Sequence, residues 1–136
     1  MPDLTDIAHF RSDKFTPILP EDSQVNPGVY GAELAFWLCT VLAQAGIGTT
    51  YPESEDWGWF FEYHTERGSE FAIHCGNVSG YKNRWMLSLR RFGRKMFGRD
   101  KPPFAEISIV TDAIKQCLES ETTVTDLEWH FPESQT

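Results

Sequence analysis

Four side chains able to bind a ligand or to exchange protons stand in the middle of the chain. They are a carboxylate, an imidazole, a hydroxyl and a guanidinium, at Glu62, His74, Ser88 and Arg90. Imidazole titrates near neutral pH, and a guanidinium binds carboxylate or phosphate through two parallel hydrogen bonds. On a shared surface they would form a site for a small anionic or polar ligand. The simpler alternative is a solvated sheet face, because alternation alone places polar residues there.

Strand geometry and ligand spacing disfavour catalytic and metal-binding interpretations of these residues. Cys75 and His74 are a thiol and a base, but adjacent residues of a strand point to opposite faces and cannot hydrogen-bond through their side chains. The ligand-type residues show no spacing known from metal sites: Glu62, His64, Glu70 and His74. We therefore predict no catalytic residues, no metal and no cofactor, and the sequence favours a binding protein over an enzyme.

Charge is distributed unevenly along the chain, whose net charge is −8. Residues 82–101 contain eight of the twelve basic residues and one acid, a net charge of +7. The remaining 116 residues contain four basic residues and nineteen acids, a net charge of −15. Such a layout governs association rather than fold, because a basic segment on an acidic body attracts partners that the body repels.

The basic run "RRFGRKMFGRDK" interleaves two Phe-Gly pairs with cations. Phenylalanine beside arginine can anchor an acidic protein surface, or it can stack on nucleic-acid bases while arginine contacts phosphates. A third interpretation has both aromatic rings fold inward and pin the connection between strand and helix. The candidate contact residues that join Arg90 are Arg91, Phe92, Arg94, Lys95 and Phe97.

Two stretches of helical period flank the strands that must position these side chains. The first is predicted to begin at Asn26 and Pro27, which suit the N-cap and the first helical position, and to end at Gly46. Its apolar residues form one stripe: Tyr30, Leu34, Trp37, Leu38, Val41, Leu42 and Ala45. The second follows "KPPF" and has its own stripe: Phe104, Ile107, Val110, Ile114, Cys117 and Leu118.

Between the helices the apolar period changes to two, which is typical of strands with one buried face. The alternating residues are Trp57, Trp59, Phe61 and Tyr63, then Phe71, Ile73 and Cys75, then Trp85, Leu87 and Leu89. "IGTTY" is a further short strand candidate. "VTDLEWHF" predicts a last strand at a sheet edge. The acidic run "PESEDW" is interpreted as an exposed turn; the alternatives are an acid–base pair or a contact with a basic partner through Glu53, Glu55 and Asp56.

Turn chemistry fixes the register of the first hairpin. The turn "ERG" suits a left-handed Gly68, which pairs Thr65 with Ser69 and sets Tyr63 opposite Phe71. The third strand follows a longer loop, and we pair Cys75 with Trp85 to keep the core side continuous. This register places Met86 beside His74 and Glu70 between His64 and Arg90. Small residues then leave a shallow trough on the second face: Gly58, Ala72, Gly76 and Ser88.

These elements predict an α+β fold, an antiparallel sheet of four to five strands with two helices packed on one face. The predicted order is helix, three to four strands, helix, strand. Residues 1–14 are expected to be a mobile N-terminal arm, 15–131 a single domain and 132–136 a frayed tail.

Composition restricts the functional classes. Apolar residues make up 40% and charged residues 24%, as in a globular protein, and no apolar run approaches a membrane span. The N-terminus lacks the apolar core of a signal peptide, and three widely spaced cysteines argue against a disulfide framework. We therefore expect a cytoplasmic protein that does not enter membranes.

Several stretches resemble a family of small uncharacterised bacterial domains. They are the run from "LPEDSQVNPGVYGAEL" to "AGI", the strand "EDWGWFFEY", "CGN" and "FGR", and together they span roughly residues 15–105. The resemblance implies no activity and no functional residue. In size, acidity and α+β composition the chain is also similar to bacterial toxin-immunity and phage anti-defence proteins.

The hypothesis that combines these observations is a small protein-binding module, such as an immunity, inhibitor or adaptor protein. One alternative is a small-ligand-binding or hydrolase-like domain that uses the outer sheet face around Glu62, His74 and Ser88. Another is contact with nucleic acid through residues 82–101, which predicts binding that weakens steeply with salt. Partner identity and oligomeric state do not follow from the sequence.

Overall fold

The computed structural model describes residues 6–18, 28–56, 58–92 and 104–131. This part of the chain contains six strands and two α-helices. In chain order they are β1 (Ile7–Arg11), α1 (Ala32–Gln44), β2 (Glu53–Glu55), β3 (Gly58–His64), β4 (Glu70–Asn77), β5 (Arg84–Phe92), α2 (Ser108–Ser120) and β6 (Thr125–Trp129). The strands form one antiparallel sheet in the order β2-β3-β4-β5-β1-β6. The predicted α+β class is confirmed, with six strands instead of four to five.

Strand β1 lies between β5 and β6. The mobile arm predicted for residues 1–14 is therefore wrong at residues 7–11. Only Ala8 and Phe10 face the core in this five-residue strand, too short a pattern to stand out from the polar residues around it. The predicted edge position of the last strand is confirmed, although its partner is β1 rather than the central hairpin.

The first helix begins at Ala32, later than the start predicted at Asn26 and Pro27, which lie outside the described residues. Gly31 explains the late start, because its φ of 147° is not helical and a Cβ there would collide with the carbonyl of Cys75. The predicted end at Gly46 is confirmed. Its φ of 85° and the bond from the Ile47 amide to the Leu42 carbonyl, 2.8 Å, form a Schellman cap.

The predicted register of the β3–β4 hairpin is confirmed, with Tyr63 opposite Phe71 and Gly68 at a φ of 90°. The predicted register of β5 is wrong by two residues, because Trp85 pairs with Asn77 instead of Cys75. Asn77 extends β4, and its side-chain amide donates to the carbonyls of Gly28, at 2.8 Å, and Tyr81, at 3.1 Å. A slip of two keeps every side chain on its predicted face but changes its neighbours.

The acidic run that was interpreted as a turn forms β2, a three-residue edge strand paired with β3. Glu55 pairs with Gly58 across a turn of two residues, and the predicted "IGTTY" strand is absent from the described residues 47–51. Trp57, predicted to face the core, lies outside the described residues, as do 132–136.

Both helices pack on one face of the sheet, as predicted. The core is filled from α1 by Leu34, Leu38 and Leu42, from α2 by Val110, Ile114 and Leu118, and from the sheet by Phe10, Phe61, Phe71, Ile73, Trp85 and Leu87. Burial of such large side chains is the dominant stabilising contribution. The opposite face of the sheet, here called the outer face, carries the candidate polar residues.

Candidate functional site

The corrected β5 register gives His74 new neighbours on the outer face. His74 stands opposite Phe60 of β3 and Ser88 of β5, where Met86 had been predicted. In the adjoining row Ala72 lies between Glu62 and Arg90. The four predicted site residues Glu62, His74, Ser88 and Arg90 therefore share two adjacent rows of one face.

Glu55, which the sequence analysis did not include among the site residues, reaches this face from β2. Its Oε2 lies 3.3 Å from Nδ1 of His74. Glu55 is paired with Gly58 across the hairpin, which places it on the same face as His74. A Cβ at Gly58 would lie 2.7 Å from the carbonyl oxygen of Cys75, so the close packing of β3 against β4 requires glycine.

We call Glu55, Phe60, His74 and Ser88 the His74 cluster. His74 is only 6% exposed, and the centroid of its ring lies 5.7 Å from that of Phe60. Burial first, and the positive charge of Arg90 second, lower the pKa of His74 from 6.5 to about 4. The side chain is therefore neutral at pH 7, and its contact with Glu55 joins a carboxylate to an uncharged ring.

The His74 cluster contains the residue types of a nucleophilic triad, with the carboxylate at Nδ1 of the histidine and a serine as cross-strand neighbour. A triad needs its histidine to carry a proton while the nucleophile attacks. Burial and Arg90 both disfavour that charged form. The electrostatics therefore suit a polar contact that holds β2 to β4 better than they suit a general base.

Glu62 interacts with its own strand rather than with the His74 cluster. Its Oε1 lies 2.8 Å from Nε2 of His64, two residues along β3 on the same face. Both side chains are partly exposed, so the pair contributes little to stability. The main chain of Glu62 is fixed more firmly, since its amide donates to Oγ1 of Thr50 at 2.8 Å and its carbonyl accepts from the Thr50 amide at 2.9 Å.

Arg90 is the exposed member of the predicted set, near the end of β5. Its cross-strand neighbour is Ala72, a small residue that leaves the guanidinium room above the sheet. Arg91 and Phe92 complete the strand, but their side chains lie outside the described residues, as do Arg94, Lys95 and Phe97 entirely.

No three histidine, cysteine, aspartate or glutamate side chains within the described ranges converge as metal ligands. The three cysteines are unpaired, and burial raises the pKa of the Cys75 thiol well above its usual value. No helix among the described residues is long and apolar enough to cross a membrane.

The missed residue, Glu55, had a signal in the sequence. Asp56 and Trp57 separate it from Gly58, and two residues are the shortest connection of a hairpin. A turn of two residues pairs the residues on either side of it, which places Glu55 directly opposite Gly58 and on the same face.

Comparisons with protein-family models, with curated proteins and with solved structures found no match. The resemblance to small bacterial domains accordingly stays a prediction, and a functional proposal has to rest on geometry and charge.

Proposed function

We propose that this protein is a binding module for another protein, which it contacts through the C-terminal end of β5 and the basic segment that follows. The observation that carries the proposal is the exposed Arg90 on the outer face, immediately before a segment rich in cations. An immunity, inhibitor or adaptor protein is the concrete form of such a module.

The base of the proposed surface is rigid. β5 has a hydrogen-bonded partner on each side, β4 along its whole length and β1 at its first half. At its far end Phe92 still pairs with Glu70. A binding surface that starts from a paired strand loses less conformational entropy on association than one carried by a loop alone.

Charge complementarity favours an acidic protein surface over nucleic acid. Glu62 lies in the same cross-strand row as Arg90, and Glu70 lies opposite Phe92, so carboxylates border the cationic strand end. A polyphosphate backbone following the surface would meet these carboxylates and the strongly acidic body. A protein partner can present acids to Arg90 and basic or neutral groups to the carboxylates.

Recognition through side chains is also favoured by the two edges of the sheet. β2 has only three residues, two of them glutamates, and β6 carries a register shift and the acids Asp126 and Glu128. Short, bulged or charged edges disfavour the addition of a strand from another chain. The alternative of a ligand site centred on His74 is disfavoured by the burial of its imidazole.

The test is capture from a lysate of the native host at low and moderate salt, followed by direct binding measurements with the purified partner. The triple variant R90Q/R94Q/K95Q is expected to weaken that binding by more than about tenfold, as charged contacts at an interface centre do. The matched control, K14Q/R67Q/K115Q, loses the same charge elsewhere and should bind normally. Equal weakening in both variants, or no specific partner at either salt concentration, would reject the proposal.

A further inference from the structure

A groove of about 570 Å³ opens on the other side of β5 from His74, between β1, β5 and β6. We call it the arginine groove, after the two arginines among its polar lining residues His9, Arg11, Arg84, Asp126 and Glu128. None of these side chains was predicted as a site residue, because β1 was not recognised as a strand. Only the pairing of β1 with β5 brings the two arginines together.

Arg11 and Arg84 are directly opposite each other in the antiparallel register of β1 and β5. Like charges directly opposite each other on neighbouring strands repel and destabilise the sheet. An acid on one of the two strands usually avoids this repulsion. Here both positions carry arginine, in a chain with a net charge of −8 that contains twenty acids. An anion between the two guanidinium groups would remove the repulsion.

Each arginine is held in place by a different neighbour. The guanidinium of Arg84 lies over the ring of Tyr81, 4.7 Å from its centroid, a stacking contact that orients the planar group without using its N–H donors. Nε of Arg11 lies 3.6 Å from a carboxylate oxygen of Asp126. No carboxylate among the described residues forms a salt bridge with Arg84.

Asp126 reaches Arg11 because the backbone of β6 is distorted there. The register between β1 and β6 shifts between His9 and Arg11, and Asp126 has a φ of 55°, in the left-handed region. A bulge of this kind bends an edge strand and re-aims a side chain, and such bulges recur beside binding sites. Glu128, opposite His9, adds a second carboxylate to this wall of the groove.

We propose that the arginine groove binds a small ligand through an oxyanion, a carboxylate or a phosphate, held between Arg11 and Arg84. The arginine forks supply paired N–H donors for the oxyanion. Asp126 and Glu128 accept hydrogen bonds from hydroxyl or amine groups of the same ligand, and they repel an extended polyanion such as nucleic acid. This proposal is independent of the partner-binding function, because it uses none of the residues at the end of β5.

The test is an NMR titration that follows the Nε–H signals of the arginines, with inorganic phosphate in one arm and acetate in the other. Saturable shifts at Arg11 and Arg84 are expected with at least one probe, and the tighter probe identifies the oxyanion class. In R84Q the affinity should fall by about tenfold or more, the effect of losing a charge-assisted pair of hydrogen bonds. R84K keeps the charge but loses the fork, and should bind with intermediate affinity.

Arg67 provides the matched control, since R67Q removes the same charge from the exposed β3–β4 turn. Binding should be unchanged in R67Q. Circular dichroism confirms that each variant is folded before its titration is interpreted. The proposal is overturned if neither probe gives saturable shifts, or if R11Q and R84Q both bind as tightly as the unmodified protein.

Discussion

The His74 cluster and the arginine groove lie on the same face of one sheet, and the strand β5 contributes to both. In the cluster a histidine is 6% exposed, neutral and covered by its neighbours. In the groove the side chain of Arg11 is 46% exposed. The sequence shows the same alternation of polar and apolar residues along both regions. The difference in exposure therefore comes from the neighbouring strands that pack beside each polar side chain.

In the His74 cluster, a glycine and the short edge strand β2 cover the polar side chain. Gly58 allows β3 to approach the backbone of Cys75 closely, and β2 places Glu55 against His74. In the second region two long cations face each other and keep the surface open. The comparison indicates that the cluster supports the fold, whereas the groove is available to a ligand. Substitutions in the first region should therefore cost stability, and those in the second should not.

The largest effect is expected from Gly58→Ala. The added Cβ would lie 2.7 Å from the Cys75 carbonyl oxygen, and the φ of 150° is strained for any residue with a side chain. Both factors together should reduce the free energy of unfolding by about 4 kcal/mol, measured by urea titration. Gly48→Ala is the control, since nothing lies within 4 Å of the new Cβ, and it should change stability by less than about 1 kcal/mol. Equal stability of the two variants would show that β3 and β4 do not need the close approach.

The second-largest effect is a pH dependence of the free energy of unfolding, which originates in the His74 cluster. The pKa of His74 is about 4 in the folded protein and 6.5 when exposed, so the unfolded chain binds the extra proton first as pH falls. This stabilising contribution is complete above pH 6.5, declines between pH 6.5 and 4, and amounts to roughly 3 kcal/mol. Urea titrations across this range should show the decline in the unmodified protein and in His64→Gln, but a much flatter curve in His74→Gln. Parallel curves for all three would contradict the burial of a neutral imidazole.

The sequence predicted which side chains share a face more reliably than which side chains touch. Period-two alternation determines the face, and the three-residue turn at Gly68 determined the neighbours of Phe71 and Ile73 as well. The loop after Asn77 carries no comparable constraint in its sequence, since its shape depends on an amide that bonds to Gly28, far away in the chain. The pairing of His74 with Ser88 therefore could not be predicted from the sequence.

The arginine groove was missed for a related reason. β1 contributes only two residues to the core, so its local pattern is weak. Its place in the sheet is decided by pairing with β5 and β6, both of which lie more than seventy residues further along the chain. Arg11 and Arg84 become neighbours only through that long-range pairing, which composition and periodicity do not encode.

A smaller effect is expected on the pKa of His74, which Arg90 at the exposed end of β5 influences. Arg90 is the second cause, after burial, of the low pKa of His74. Arg90→Gln should therefore raise the pKa of His74 toward 6.5, by less than half of the total lowering, because burial remains. An NMR titration of the imidazole carbon-bound protons measures this shift, and Arg67→Gln should leave it unchanged. If Arg90→Gln leaves the pKa in place, the guanidinium does not act on the cluster, and the two parts of the outer face are electrostatically separate.

The smallest change in stability is expected from Arg84→Gln, although the same variant should lose oxyanion binding. Removing one of two opposed cations relieves a repulsion of about 0.2–1 kcal/mol, while the lost stacking on Tyr81 costs about 0.5–1 kcal/mol. These contributions oppose each other, so the free energy of unfolding should change by less than about 1 kcal/mol in a urea titration. A loss comparable to that of Gly58→Ala would mean that Arg84 holds the sheet together. The contrast between a closed, fold-supporting cluster and an open groove would then be wrong, because both regions would serve stability.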